Sequence, residues 1–378
     1  MNLRIPLARP EITDADREAV LQVLRSPFLS MGPKLEEFEH AMSAYTGSRF
    51  AVAVNSGTSA LHLALKTLDL PPEAEVILPS FAFVAPLSAL LQEKLRPVFV
   101  DIDAGTLNLT AEAVEAAITA RTKAIIAIHT FGRPLAIDQL RSIADRRRLS
   151  LIEDACEALG AEAGGRKAGS FGDVGILAFY PNKQITTGEG GMLLTSGQTL
   201  ADHARRLRNQ GRDASLDWYQ QAENGYSYRL SDIHCALGVE QLRRIESIVE
   251  RRQILASLYR HKLSRQADIL TPSLEMSAGR PSWFTYVVQL SERFGRRDRD
   301  WLCDRLIRHG IGAGRYFAPL HRQPVLNRSL PQAELPITER VADRVLALPF
   351  FNQMTAAEVE EVCHRLGESL AELRSQRT

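Results

Sequence analysis

The sequence predicts an α/β protein with a mostly parallel central sheet. Over the first two thirds of its 378 residues, short apolar runs alternate with helical patterns of hydrophobic residues. Strands that alternate with helices are typical of crossover units, which build parallel sheets. Such sheets bind ligands beyond the carboxyl ends of their strands, so the residues that follow each strand are the first candidates for function.

The predicted elements begin with two helices. Thr13-Asp14-Ala15-Asp16 signals a capped helix that runs to about Arg25, and Pro33 suits the first turn of the next helix. Strands are then predicted at 50–54, 75–79, 96–100, 122–128 and 149–153. Helices are predicted at 58–70, 82–93, 110–119 and 135–148, with Thr110 as an N-cap. A further strand-like run, 176–182, leads into Lys183.

The rest of the chain predicts a smaller C-terminal α/β domain. We expect one long helix over 231–263, a connection over 271–282 and a strand over 283–290. Helices are expected near 299–309, 338–346 and 355–373. We therefore predict a large domain over residues 1–245 and a small domain over residues 246–378.

Composition excludes several classes of function. The chain is 45% hydrophobic and 24% charged with a net charge of +1, so we expect no nucleic-acid partner. No segment approaches the ~20 apolar residues of a membrane span, and the first residues, Met1 to Pro6, show no apolar core of signal-peptide length. The four cysteines form no C-x-x-C pair, which predicts neither a disulfide framework nor a metal site. We expect a cytoplasmic protein.

Four features fall at predicted strand ends. Lys183 follows an apolar, aromatic run and opens a Thr/Gly-rich loop, where an amine is a candidate Schiff-base nucleophile. Asp154 follows a strand, and a buried carboxylate there needs a positive partner such as a pyridinium nitrogen. Phe83 follows another strand and could stack on a flat cofactor. Asn55-Ser56-Gly57-Thr58-Ser59-Ala60 joins a strand to a helix, whose first amides bind anions.

Each feature also has a structural explanation when it is taken alone. A lysine in a Gly-rich turn is usually a surface lysine, an Asp after a strand often caps the next turn, and a Phe is most often plain core. A capped helix needs no ligand. Together, however, an anion cradle, a carboxylate, an aromatic face and an amine are what pyridoxal phosphate (PLP) requires.

The chain resembles the PLP-dependent sugar aminotransferases named after DegT, DnrJ and StrS. The resemblance covers essentially the whole chain and is most specific at Phe179-Tyr180-Pro181-Asn182-Lys183. It also includes Glu153-Asp154-Ala155-Cys156-Glu157-Ala158 and Gly225-Tyr226-Ser227-Tyr228-Arg229. It implies the type I aminotransferase fold, in which the large domain binds PLP.

The resemblance also implies site roles. Lys183 would hold PLP as a Schiff base and shuttle protons, and Asp154 would pair with the pyridinium nitrogen. Phe83 would lie against the ring, and Glu157 stands near the cofactor hydroxyl where many relatives have Gln. The phosphate would be bound by the residues at the start of one helix, which are Gly57, Thr58 and Ser59.

Two positions depart from the family pattern. Ala178 stands where many relatives carry a phosphate-binding Ser, and Ser227 where an Asn reaches the phosphate from the partner subunit. This sharing of sites implies a homodimer. On the substrate side, Tyr316, Phe317 and His321 would line the sugar and Arg229 could meet the diphosphate; a structural role for His321 stays open.

The resemblance implies transfer of an amino group from an amino acid, glutamate in particular, to a keto sugar nucleotide. The product would serve amino-sugar and polysaccharide biosynthesis. Two alternatives stay open: another type I PLP enzyme, such as an amino-acid aminotransferase or a lyase, and a regulator that keeps the pocket without turnover. The presence of both Lys183 and Asp154 argues against the regulator.

Overall fold

The computed structural model describes residues 3–213, 217, 220–277, 279–326 and 333–376. The strands are β1 (Phe50–Val54), β2 (Glu75–Pro79), β3 (Arg96–Val100), β4 (Thr122–Ile128), β5 (Ser150–Asp154), β6 (Glu162–Ala163), β7 (Arg166–Lys167), β8 (Val174–Ala178), β9 (Gly191–Thr195), β10 (Ile269–Leu270), β11 (Gly279–Arg280), β12 (Tyr286–Leu290) and β13 (Val345–Leu348). The helices are α1 (Asp14–Leu24), α2 (Pro33–Thr46), α3 (Gly57–Thr67), α4 (Ala85–Gln92), α5 (Ala111–Ala117), α6 (Ile137–Arg147), α7 (Gln198–Arg208), α8 (Asp232–Leu242), α9 (Ile245–Leu263), α10 (Arg296–Arg308), α11 (Pro336–Ala342) and α12 (Ala356–Ser375).

The central sheet has the strand order β1-β9-β8-β5-β4-β2-β3. Strand β9 runs antiparallel to both of its neighbours, and the other pairs in this sheet are parallel. Helices cover both faces, so strands such as β2 are buried along their whole length. The mostly parallel α/β class predicted from the sequence is confirmed.

The predicted bounds of several elements agree with the structure because local signals are strong there. Strands β1, β2, β3 and β4 have the predicted limits. Thr110 caps α5 by accepting a hydrogen bond from the Ala113 N–H at 3.2 Å. Thr13 and Asp16 form the reciprocal capping box that starts α1.

Other predictions were wrong in ways that long-range contacts explain. The helix expected over 231–263 is two helices, because the chain turns at Arg244, whose guanidinium bonds Asp16 at 2.8 Å. The helix expected over 338–346 ends at Ala342, and the apolar residues after it form β13, which pairs with β12. The connection expected over 271–282 contains the short strand β11, which pairs with β6.

A second hydrophobic core surrounds the antiparallel sheet β10-β12-β13 and helices α10 and α12. The N-terminal Ile5 packs in this core, and its backbone pairs with Ile311. Helix α9 contributes to two cores: Ile245 and Val249 pack on the central sheet side, while Tyr259 packs in the second core. The division at residues 245 and 246 stays a prediction.

Within the described ranges, none of the helices combines the length and the apolar composition that crossing a bilayer requires. The same ranges hold no group of three or more His, Cys, Asp or Glu side chains placed to bind a metal ion.

Candidate active site

A cavity of about 400 Å³ opens at the carboxyl edge of the central sheet. The residues that follow β1, β2, β5 and β8 reach it, as the sheet topology predicts. Its walls are formed by Ser56, Gly57, Thr58, Leu61, Phe81, Ala82, Phe83, Ala85, Pro86, Ile128, Thr130, Asp154, Cys156, Glu157, Ala178, Tyr180, Asn182, Lys183, Glu189, Gly190, Phe284, Tyr316 and Phe317.

Lys183 presents its amine to this cavity from the loop after β8. Its backbone N–H donates to the Tyr180 carbonyl at 2.9 Å, which closes a tight turn. The Nζ atom lies 3.9 Å from Glu157 Oε1 and 4.2 Å from the centre of the Phe284 ring. The amine is thus held by one carboxyl group and one aromatic face, and its contact with the carboxyl group is longer than a hydrogen bond.

Asp154 is the last residue of β5, and its carboxylate lies at the cavity wall. Its Oδ1 atom accepts a hydrogen bond from the Cys156 N–H at 3.0 Å. The preceding residue, Glu153, points to the other face of the sheet, as alternation along a strand requires. There it bonds His129 at 2.8 Å, so His129 belongs to a buried structural cluster.

Glu157 lies beside Lys183 in a buried position. Its Oε2 atom accepts a hydrogen bond from the Phe131 N–H at 2.8 Å. Burial raises the pKa of the Glu157 carboxyl; the Lys183 amine and the Phe131 N–H oppose this rise, while Asp154 adds to it. The same burial, with Asp154 nearby, raises the pKa of the Cys156 thiol well above its usual range.

The turn between β1 and α3 supplies backbone amides to the cavity. Ser56 is the N-cap of α3 and accepts a hydrogen bond from the Ser59 N–H at 3.0 Å. The hydroxyl of Ser59 donates to Asn55 at 2.6 Å, so this side chain stabilises the turn. A Cβ atom on Gly57 would come within 2.7 Å of Ala178, which explains why glycine is needed in this close approach.

Aromatic side chains form another part of the wall. Phe83 is 60% exposed, which is unusual for a phenylalanine and leaves a flat face available. Tyr316 and Phe317 stack with ring centres 5.2 Å apart. Burial, together with the nearby Glu157, raises the pKa of the Tyr316 hydroxyl.

Four predicted site residues are not among the described residues that line this cavity. One is Ser59, whose hydroxyl bonds Asn55 in the turn before α3. Ser227 is exposed, and its backbone pairs with Asn209. Arg229 donates to the side chain of Asn209 at 3.3 Å.

The fourth of these residues is His321, which contacts two other side chains. Its Nδ1 atom lies 2.6 Å from the Ser80 hydroxyl, and its Nε2 atom lies 3.1 Å from Glu339. Because both ring nitrogens have partners, these contacts are typical of a structural histidine.

Two informative cavity residues, Phe284 and Asn182, are among those that the sequence reasoning missed. Phe284 comes from the segment before β12, far along the chain from Lys183, and no local pattern marks it. Asn182 was quoted only within the lysine motif, yet its Oδ1 atom is buried and has no hydrogen-bond partner. A buried acceptor without a partner at a cavity wall indicates a ligand-binding position.

The cavity residues fit PLP. An amine, a carboxylate and the first amides of an 11-residue helix line one cavity, and they match an aldehyde, a pyridinium nitrogen and a phosphate respectively. A volume of about 400 Å³ is within the usual range for cofactor sites. Lys183, Asp154 and the Gly57–Thr58 amides would hold the group.

Comparison with known proteins gives a consistent family. The profile of the DegT/DnrJ/EryC1/StrS aminotransferase family matches residues 10–367. The GDP-perosamine synthase of Caulobacter vibrioides is 36% identical over 368 residues, which cover 97% of this chain and 98% of that protein.

Solved structures are also similar to this chain in sequence and fold. DesI, determined in the presence of its TDP-sugar product, is 32% identical with a TM-score of 0.89, and the match covers 100% of this chain and 95% of DesI. The PLP form of the putative sugar aminotransferase Spr1654 from Streptococcus pneumoniae is 25% identical with a TM-score of 0.91, covering 98% of this chain and 99% of that one.

Proposed function

Because the chain belongs to the DegT/DnrJ/EryC1/StrS aminotransferase family, whose members depend on PLP, we propose that it aminates a keto sugar carried on a nucleotide. The amino donor in this proposal is an amino acid, L-glutamate. Two relatives support a nucleotide-sugar acceptor, since one is a GDP-perosamine synthase and the structure of the other was determined in the presence of its TDP-sugar product. The product would enter amino-sugar and polysaccharide biosynthesis.

One observation carries the proposal: the Lys183 amine, the Asp154 carboxylate and the first amides of α3 line the same cavity. PLP bound there would accept the amino group of the donor and draw electrons from the reacting carbon. Lys183 would move a proton at Nζ between positions on the reacting atoms. Asp154 would keep the ring nitrogen protonated through a charge-assisted hydrogen bond.

The remaining wall residues would bind the cofactor and the sugar and would keep water out of the cavity. The amides of Gly57 and Thr58 would take the phosphate, because the α3 N-terminus attracts anions. Phe83 would stack on the cofactor ring with its exposed face. Tyr316 would line the sugar side and, with Phe317, keep water from the reacting atoms.

We also propose a homodimer with shared active sites. Ser227 is exposed, and it lies outside the described wall of its own cavity, which supports a role at the cavity of a partner subunit. Arg229 lies on the same segment and would meet the diphosphate of the sugar nucleotide. The four cysteines are free, which supports residence in the reducing cytoplasm.

The first experiment tests the cofactor and the reaction together. Purified protein saturated with PLP should turn yellow, and borohydride should fix the cofactor to Lys183, as read by peptide mass spectrometry. A panel of keto sugar nucleotides with glutamate as donor should yield an amino sugar. Amination of a keto acid instead of any sugar would favour an amino-acid aminotransferase, and absence of both colour and fixation would refute the proposal.

A mixing experiment tests the shared site. Lys183→Ala and Ser227→Trp subunits are each expected to be inactive, the second because the indole blocks the phosphate position of the partner. Random reassociation places both defects in one site of each mixed dimer, so about a quarter of the wild-type activity should return. Mixed dimers that form without recovery would place Ser227 at the cavity of its own chain.

A further inference from the structure

Phe284 places its aromatic ring against the Lys183 amine. Its ring centre lies 4.2 Å from Nζ, within the range in which an aromatic face attracts a cation. The same nitrogen is 3.9 Å from Glu157 Oε1. Phe284 comes from the region that the sequence assigns to the small domain, so two parts of the fold meet at one amine.

A tight junction of backbone segments fixes both neighbours of the amine. The Phe284 N–H donates to the Phe131 carbonyl at 3.0 Å, and the Phe131 N–H donates to Glu157 Oε2 at 2.8 Å. Gly132 lies at the centre with φ +80°, and a Cβ atom there would come within 2.7 Å of the Phe284 nitrogen and 2.8 Å of the Glu157 carbonyl oxygen. Only glycine permits this approach.

The other side of the Phe284 segment is anchored by Arg252 of α9. This buried guanidinium donates through Nη1 to the Trp283 carbonyl at 2.8 Å and to the Phe284 carbonyl at 3.1 Å. Burial lowers the pKa of Arg252 to about 10. Buried cations are retained where they satisfy backbone acceptors, so the segment is held in one place on both sides.

We propose that Phe284 is a positioning residue for Lys183, and that its ring, together with Glu157, holds the free amine at the cavity wall. The inference rests on the proposed role of Lys183 and extends it. In a transamination the amine is released in one half-reaction and used again in the next. An amine that is held close to its reacting position loses less conformational freedom when it returns to the reacting geometry.

The test uses the cofactor-free protein, so that it does not depend on turnover. Lys183 is methylated with limiting formaldehyde and cyanoborohydride at one pH, and its labelling is compared with that of the exposed Lys94 by peptide mass spectrometry. Phe284→Leu removes the ring and keeps apolar bulk, and it should label Lys183 about 2- to 30-fold faster because the attraction for the charged amine is lost. Phe284→Tyr keeps the ring and should label within about twofold of wild type.

Phe317→Leu is the matched control, because it removes another ring from the same cavity. It should leave the labelling rate within about twofold of wild type, since an effect of Phe284 acts through the amine and not through access. The proposal is overturned if Phe284→Leu labels like wild type, or if Phe284→Tyr or Phe317→Leu labels as fast as Phe284→Leu.

Two further measurements keep the outcome clear. Circular dichroism checks the fold, and Phe284→Met replaces the leucine variant if that variant does not fold. Borohydride fixation of PLP on wild-type protein is measured separately. A failure of fixation would count against the proposed function, whereas a failure of the labelling ratios would count only against the role of Phe284.

Discussion

Two acid–base pairs, each with a buried glutamate, lie close together along the chain, and they differ in how completely the protein satisfies them. In the first, Glu153 accepts a hydrogen bond from His129 at 2.8 Å and others from the Gly169 N–H at 2.6 Å and the Phe171 N–H at 2.7 Å. Although burial opposes ionisation, these donors hold the pKa of Glu153 below its usual range. His129 has a second partner, because its Nδ1 atom accepts from the Leu135 N–H.

The second pair, Lys183 and Glu157, is left open. The two groups are 3.9 Å apart, Glu157 has one backbone donor at 2.8 Å, and burial raises its pKa. A buried charge that the protein saturates stabilises the fold, whereas one that is left with free capacity can serve a ligand. Burial alone therefore does not identify a functional group; the hydrogen-bonding capacity that the protein leaves unsatisfied does.

The largest effect should come from Lys183→Ala. We expect turnover and borohydride fixation of PLP to be lost, because no other amine takes its place, while the melting temperature of the cofactor-free protein changes little. Absorbance, mass spectrometry and thermal unfolding measure these three quantities. The exposed Lys94→Ala variant should keep all of them, and a Lys183→Ala protein that stays yellow and active would break the comparison.

Of the two pairs, Glu153 and His129 should contribute more to the stability of the fold. Glu153→Gln places an amide against backbone donors, and we expect it to lower the free energy of unfolding by about 3–5 kcal/mol, as when a buried pair loses one member. Urea unfolding of the cofactor-free protein measures this loss. Glu157→Gln is the matched substitution in the Lys183–Glu157 pair and should not lower the free energy of unfolding at neutral pH. Equal losses in the two variants would remove the distinction between the pairs.

Asp154→Asn should reduce turnover without loss of the fold. The amide cannot make the charge-assisted hydrogen bond to the ring nitrogen, a loss of about 1.5–3 kcal/mol, which corresponds to a reduction in kcat of roughly 10- to 150-fold. Borohydride should still fix PLP to Lys183. Steady-state rates give the first quantity and peptide mass spectrometry the second; wild-type kcat in the variant would contradict the assignment.

The smallest expected effect is on the pH dependence of stability, which should have opposite signs for the two glutamates. Because burial raises the folded pKa of Glu157, its ionisation destabilises the fold as pH rises above the ordinary glutamate value. Glu157→Gln should therefore gain stability relative to wild type as pH rises from acid to neutral. The lowered pKa of Glu153 acts in the opposite direction. Its contribution is present above the ordinary value and is lost in acid, so the deficit of Glu153→Gln should shrink as pH falls. Thermal unfolding across pH tests both, and slopes of the same sign would contradict the argument.

Local signals in the sequence were sufficient for much of the fold. The limits of β1 to β4 follow from short apolar runs bounded by turns, and the Thr13 and Thr110 caps follow from hydroxyl groups before helical patterns. The run that forms β13 is equally compatible with helix, and only its pairing with β12 decides. The break before α9 depends on an arginine that reaches α1, which no local pattern reveals.

The candidate site divides in the same way. Lys183, Asp154 and the Gly57–Thr58 turn were predictable because each lies at or just after the end of a strand, and parallel strands bring their ends to one edge. Phe284 was not, since it enters the cavity from a distant segment held by Phe131 and Arg252. The sequence also left two roles open for His321, and its contacts with Ser80 and Glu339 are those of the structural one.

Helix α9 has a mechanical consequence for the whole chain. Its first turns pack in the core beside the central sheet and its last turns pack in the core around β12. Because both cores share this helix, neither core can unfold without disturbing the other. Calorimetry should therefore record a single endotherm. Cutting the chain at residue 245 would separate α9 from the elements that precede it, and the two fragments should be insoluble when they are expressed apart.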